Sequence, residues 1–304
     1  MITVAQVEKR FGRVVALDGV SLSIDKGERV AFVGTNGSGK TTLLRAILGL
    51  LRVDGKITVC GSDVGREPEI ALRSVAYIPQ IAPPIEAPVG EVVRASAALR
   101  GVEPSAIEAR ARRLGLDLGA CARTRFRDLS GGMKQKLLGA LALAAETPIL
   151  VCDEPTANLD GDARAAFFEQ LAERPASSVV ILCSHRLEEV RQIVGRVVEL
   201  ADGRIVRDAS LSELLRELRS FRVEVALTEA GAALEPTLLA LGFSRSGLAR
   251  FALQVAQAEK IELVTRLLRD HGDGLADLSV VPMDDLSSVP GNVSPLRPKL
   301  EVVA

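Results

Sequence analysis

The 304 residues contain no tryptophan, one tyrosine, two histidines and four cysteines. Cys60, Cys121, Cys152 and Cys183 lie far apart with no C-x-x-C pair and no histidine at metal-ligand spacing, so neither a disulfide framework nor a zinc site is indicated. The expectation is buried thiols in a reducing compartment. Charge of one sign is also missing: 38 basic residues face 39 acidic ones, leaving a net charge of -1. Nothing in that balance points to nucleic acid or to an anionic membrane surface. The arginines of EARARRLG (108–115) and RTRFR (123–127) have a single aromatic residue among them, Phe126, and not the series that base stacking uses, so a solvated helix face is their expected role. Long apolar runs are lacking too. The longest run of small apolar residues, LLGALALAA (137–145), stops at Glu146 at about half the length of a bilayer crossing. The opening MITVAQVEKRFG has no basic stretch followed by an apolar one, so no secretory signal is expected.

What is present is an ordinary globular composition, 47% hydrophobic and 25% charged, with length for two domains. Up to about residue 215 the grammar is α/β. Four short runs, RVAFV (29–33), VAYI (75–78), ILVC (149–152) and VVILC (179–183), are continuously apolar, which predicts strands covered on both faces. Each is followed at once by polar or glycine-rich residues: GTNGSGKTT, PQ, DEP and SH. Ligands in open α/β sheets sit beyond the carboxyl ends of the strands, so the four endings are expected to converge on one site. Between them, helical segments at roughly 88–100 and 105–114 read as a helical insertion over about 81–145. A first domain is expected over 1–218.

From 219 to 286 the pattern changes. FRVEVAL alternates, EAGAALEPTLLALG is helical with a proline tolerable only in a first turn, glycines 242 and 247 leave room for a short strand, SGLARFALQVA alternates, AEKIELVTRLLRDHG is helical and LADLSVV closes the series. The sum approximates β-α-β-β-α-β, a small ferredoxin-like α/β domain. Residues 287–304 are expected to form a flexible tail.

Gly34-Thr35-Asn36-Gly37-Ser38-Gly39-Lys40-Thr41 fits G-x-x-x-x-G-K-T, directly after a predicted buried strand and before the helical TLLRAILGL. In such a loop the backbone N–H groups wrap a β-phosphate, Lys40 supplies a point charge, and the Thr41 hydroxyl supplies a Mg2+ ligand. Asp153 and Glu154 end the third strand. Asp153 is assigned to the metal and Glu154 to the general base that activates water. The bland alternative for DEP is a polar turn capping the next helix. His185, two residues beyond the fourth strand, could contact a γ-phosphate, whereas His271 at a predicted helix end is structural.

Ser130 is a good N-cap for a helix starting near Gly131. That helix end is either simply capped or a second anion site, with Gly131 and Gly132 permitting close approach.

Taken together, GTNGSGKTT, Gln80, LSGGM, ILVCDEP, ANLD and His185 resemble the ATP-binding subunit of an ABC transporter, over roughly residues 2 to 215 in order and spacing. The fold so implied is a P-loop NTPase of ABC type with a helical insertion, here followed by the small α/β domain. The resemblance implies ATP and Mg2+ as ligands, bound by Phe11 on adenine, by Gly34 to Thr42 with both Thr41 and Thr42, and by Gln80 toward the metal and the attacking water. It also implies that Ser130, Gly131 and Gly132 close over the nucleotide of a second copy, and that Asp160 crosses the interface beside the partner's phosphate loop. Phe11 has a core position as its alternative. Met133 departs from the family, which most often has glutamine there.

A homodimer on the cytoplasmic face of the cell membrane, driving integral-membrane permease subunits, follows from the resemblance; nucleic acid does not. The apolar, proline-stiffened IAPPIEAPVGEVV (81–93) could be a docking rim for the permease or a plain proline-rich turn. The arrangement resembles ABC-2-type exporters, with the ATPase of nitrous oxide reductase copper maturation as an alternative. Soluble ABC ATPases of the repair or translation type are a further class. They would require an inserted coiled coil or a second cassette, and the chain has neither. For the appendage, a dimer-stabilising or regulatory role is expected.

Overall fold

Four strands named by continuous apolarity lie side by side in the computed structural model, which describes residues 1–184, 191–218 and 220–283. These are β3 (Arg29–Val33), β6 (Val75–Ile78), β7 (Ile149–Asp153) and β8 (Val179–Cys183). They form the parallel run β3-β8-β7-β6 of a six-stranded sheet. Every residue of β7 and β8 is buried, as strands covered on both faces require. The register sets Ile78 beside Cys152 and Asp153 beside Cys183, so the strand ends align. β9 (Arg196–Ala201) adds to β3 in parallel, and β10 (Arg204–Ser210) folds back on it through a tight turn in which Asp202 and Gly203 both have positive φ.

A second, antiparallel sheet, not distinguished among the apolar runs of the sequence, comprises β1 (Ile2–Phe11), β2 (Val14–Ile24), β4 (Asp54–Val59) and β5 (Ser62–Asp63), in the order β2-β1-β4-β5. Helix α1 (Lys40–Ile47) touches strands of both sheets, and its Leu43, Leu44 and Ile47 are part of one continuous core with Val7, Leu17, Val30, Phe32 and Val151. That burial fixes the start of α1 at the edge where β3 ends.

After α2 (Pro68–Arg73) and β6 come α3 (Val89–Arg100), α4 (Pro104–Arg113), the short α5 (Leu118–Cys121) and α6 (Gly131–Ala144). The buried Ile107 and Ala111 lie on α4, which packs on α6. α7 (Gly161–Ala172) follows β7. The arginines expected to form a solvated face are mostly exposed, and several of them also hold carboxylates. Arg110 and Arg113 of α4 bind Glu173 at the end of α7 at 3.0 and 2.6 Å, and Arg127 binds Glu86 at 2.7 Å. Cys121, Cys152 and Cys183 are buried as expected, but Cys60 is exposed: it occupies a left-handed turn between β4 and β5 that no core covers.

The chain divides into two units, Met1–Ser210 and the residues from Leu211 onward. The second unit contains α8 (Leu211–Leu218), β11 (Ser220–Leu227), α9 (Glu235–Ala240), β12 (Ser244–Gly247), β13 (Arg250–Ala256), α10 (Gln257–His271) and β14 (Leu275–Met283). Its antiparallel order β12-β13-β11-β14 is the ferredoxin-like plait. The helix expected over 229–242 is broken. A 3-10 turn spans Ala230–Leu234, and an α-helix starts at Glu235, which places Pro236 in a first turn where its missing N–H is harmless. Residues 287–304 lie outside the described residues. Among the described residues, no helix is long and apolar enough to cross a membrane.

Candidate nucleotide site

The loop from Gly34 to Gly39 leaves β3 at the edge shared by β7 and β8, and its shape depends on glycine. Gly39 has φ +105°, and a Cβ there would lie 2.6 Å from the Ala16 carbonyl of β2. Gly34, at φ +141°, would strike the Leu200 carbonyl. Two backbone bonds brace the turn: Gly203 N–H donates to Ser38 O at 3.1 Å, and Asp18 N–H donates to Gly203 O at 2.9 Å. Thr35, Asn36 and Gly37 are exposed, whereas Ser38, Gly39 and Lys40 are buried.

Lys40 folds back over this loop. Its ammonium donates to Gly34 O at 2.7 Å and Thr35 O at 2.9 Å, and reaches Ser38 Oγ at 3.5 Å. Among the described residues it has no carboxylate partner, although only 8% of it is exposed. A buried cation held only by neutral oxygens, at the end of a glycine loop and a helix N-terminus, fits a phosphate.

On the next residue, the Thr41 hydroxyl donates to Asp153 Oδ1 across 3.4 Å, and Thr42 is half-buried on the same turn of α1. Burial pushes the Asp153 carboxyl above its ordinary value, partly opposed by the Thr41 hydrogen bond, and the neighbouring Glu154 charge raises it further. A hydroxyl and a carboxylate at this separation suit the hard oxygen coordination of Mg2+. Tyr77, the sole tyrosine, is a residue that sequence reasoning passed over. Burial, and secondarily the Asp153 charge, push its hydroxyl up to about 12. The available signal was a lone hydroxyl in the otherwise apolar VAYI.

Glu154 turns sharply out of β7. Its φ of 49° is left-handed, and its N–H donates to Cys183 O at 3.0 Å. Left-handed backbone at a residue other than glycine is uncommon and persists where its surroundings over-determine it. Gln80 is exposed, two residues beyond β6. Phe11, at the end of β1, is 52% exposed with the Lys9 ammonium 5.4 Å from its ring, which removes the core alternative and leaves an aromatic face open. His185 lies outside the described residues.

Ser130 is the N-cap of α6, accepting from Met133 N–H at 3.2 Å, and its side chain is exposed. Gly131 and Gly132 lie against Asn158, with the Asn158 carbonyl 3.0 Å from where a Gly132 Cβ would sit. Asp160 caps α7 through Ala163 N–H at 2.8 Å and pairs with Lys136 at 2.7 Å. Two anion-competent helix ends therefore exist, α1 behind the phosphate loop and α6 behind Ser130.

Comparison with known proteins sets this geometry in a group. The family model for ABC transporters matches residues 17–157. The daunorubicin resistance ATP-binding protein DrrA3 of Streptomyces coeruleorubidus is 35% identical over 236 residues, covering 76% of this chain and 74% of the relative. The Nod factor export ATP-binding protein I of Rhizobium sp. (strain N33) is 35% identical over 228 residues, covering 71% and 73%. The solved ATP-binding subunit of an ABC transporter superposes with a TM-score of 0.64 at 29% identity, covering 71% of this chain and 92% of that one. A dimeric bacterial ABC transporter cassette, MJ0796, superposes with a TM-score of 0.61 at 25% identity, covering 69% and 99%.

Proposed function

The chain belongs to the ABC transporter ATP-binding family, and we propose that two copies of it close around two ATP molecules to drive a membrane permease of the ABC-2 export type. The observation that carries this reading is the placement of Lys40, Thr41 and Asp153 together at one strand edge, while Ser130 caps a different helix. An isologous two-fold pair would set each phosphate loop opposite the partner's Ser130, giving two composite sites from one sequence.

In each site the loop N–H groups and Lys40 bind the phosphates, and Phe11 offers its open face to adenine. Mg2+, held by Thr41 and Asp153 and approached by Gln80, would neutralise charge on the β- and γ-phosphates. Glu154 orients the attacking water and accepts its proton, and the role that family resemblance implies for His185 is contact with the γ-phosphate. Ser130, Gly131 and Gly132 present a helix N-terminus to the partner's γ-phosphate, and Asp160 lies beside the partner's loop. Binding thus draws the two copies together, and hydrolysis releases them.

Export as the coupled work is supported by the names of the two relatives, which concern drug resistance and Nod factor export. In this reading the permease is a separate chain in the membrane, with this protein at its cytoplasmic face. The exposed Ile81, at the start of the proline-stiffened segment beside Gln80, suits its docking rim. The domain from residue 219 to 286 serves dimer stability or regulation. The experiment is Glu154→Gln: ATP hydrolysis should fall by about a hundredfold or more while ATP still binds. Hydrolysis at the parental rate would remove Glu154 as the base.

A further inference from the structure

We propose that Lys136 is a positioning residue for ATP hydrolysis, holding the loop that follows Glu154 through its ion pair with Asp160. This inference rests on the reading of Glu154 as the base. Lys136 lies on the second turn of α6, the helix that Ser130 caps. Its ammonium meets Asp160 Oδ2 at 2.7 Å with only 15% of the lysine side chain exposed. The other carboxylate oxygen takes Ala163 N–H at 2.8 Å, so both oxygens of Asp160 are committed within its own chain. The Lys136 hydrogen bond, followed by that of Ala163, holds the Asp160 carboxyl below the usual carboxylate range. Asp160 itself caps α7, but a cation beside the amino end of that helix opposes the helix dipole, so capping does not account for Lys136.

Two further contacts tie α6 to the same loop. Gln135, 3% exposed, donates its side-chain N–H to Pro155 O at 3.0 Å, at the residue directly after Glu154. Gly132 lies so close to the Asn158 carbonyl that a Cβ would sit 3.0 Å from it. Residues 155, 158 and 160 are thereby fixed to one rigid helix. Glu154 stands at the head of this loop in a left-handed conformation that no glycine relieves. A strained residue keeps its geometry only when neighbouring contacts hold it, and the 155–160 loop is the neighbour that can relax. Lys136 supplies the one charged tie in that set and the one at its far end. Because the same helix carries Ser130, any shift of α6 on engaging a phosphate is passed to the loop behind Glu154.

The test uses the full-length chain with Lys136→Met, Lys136→Arg, Asp160→Asn and the Lys136→Met/Asp160→Asn double variant. It reads kcat, KM for ATP, affinity for a fluorescent ATP analogue, and the melting temperature. Lys136→Met should lower kcat by about ten- to a hundredfold, the scale on which misplaced groups act, with analogue affinity within about twofold of the parent. Lys136→Arg should restore most of the rate. Asp160→Asn retains an acceptor for Ala163 N–H but loses the charge, and it should add little to the Lys136→Met loss. Should Lys136→Met not fold, Lys136→Gln against Lys136→Arg carries the same comparison. A parental kcat in Lys136→Met, losses that multiply in the double variant, or a fall in affinity that tracks kcat would each overturn the proposal. Glu154→Gln in the same assay separates the two readings. If it is inactive while Lys136→Met turns over normally, only the positioning role fails; if it turns over normally, the assignment of the base fails first.

Discussion

Asp153 sets stability against function within one side chain. It is 2% exposed, and burial disfavours its ionised form, yet the ionised form is what a divalent cation needs. Replacing it by asparagine keeps the shape and removes the disfavoured charge. Asp153→Asn should therefore melt at a higher temperature than the parent in the absence of nucleotide and should lose Mg2+-dependent ATP hydrolysis. Differential scanning calorimetry beside an ATPase assay reads both, and a lower melting temperature would contradict the burial argument. At this scale the sequence was most informative where backbone geometry leaves no choice. The glycines at 34 and 39 stand where a Cβ would meet another strand's carbonyl, so their spacing announces the loop. Lys136 was not legible, because a lysine six residues past Ser130 looks like any helix lysine until the fold brings Asp160 beside it. Phe11 was placed on adenine only by family resemblance, since a strand-end phenylalanine reads alike whether covered or open.

At the scale of elements, the joint between α4 and α7 depends on charge. Two arginines of α4 converge on Glu173, and Arg113 with Arg110 holds that carboxyl down at about 2. A lowered carboxyl stabilises the fold above its ordinary range and loses that contribution as pH falls through the depressed value. The parent should accordingly be more stable than Glu173→Gln above about pH 4.5, and the difference should vanish as the pH approaches about 2. Exposure and salt weaken such a pair, so the difference should also shrink in high salt. Denaturant titrations of both proteins across that pH range check it; a gap unchanged at low pH would remove the ion pair from the joint. Legibility among elements followed burial. β3, β6, β7 and β8 are covered on both faces, and their unbroken apolar runs gave nearly their bounds. β1 has one face toward the core and one toward water, so Gln6, Glu8, Lys9 and Arg10 dilute the signal, and the antiparallel sheet was not separated from its surroundings. Pro236 marked a position tolerable only in a first turn of α9, but not that a 3-10 turn would precede that helix.

For the whole molecule, the proposed function requires a site that one copy does not complete. Lys40, Thr41 and Asp153 share an edge of the sheet, whereas Ser130 is tied through Gln135 and Lys136 to the loop after β7. The sequence carried this division as two separate glycine-bearing helix starts, at Lys40 and Gly131. That the second should serve another molecule followed from family resemblance, because no spacing within a single chain records a contact between chains. The most direct measurement is the molar mass in solution of the Glu154→Gln protein, with and without ATP and Mg2+. A chain of 32.3 kDa should double in mass when ATP binds, and should remain single when Ser130→Arg is added although the nucleotide still binds. A single-chain mass at saturating ATP, with one nucleotide bound per chain and parental turnover by that monomer in the unmodified protein, would contradict the composite site.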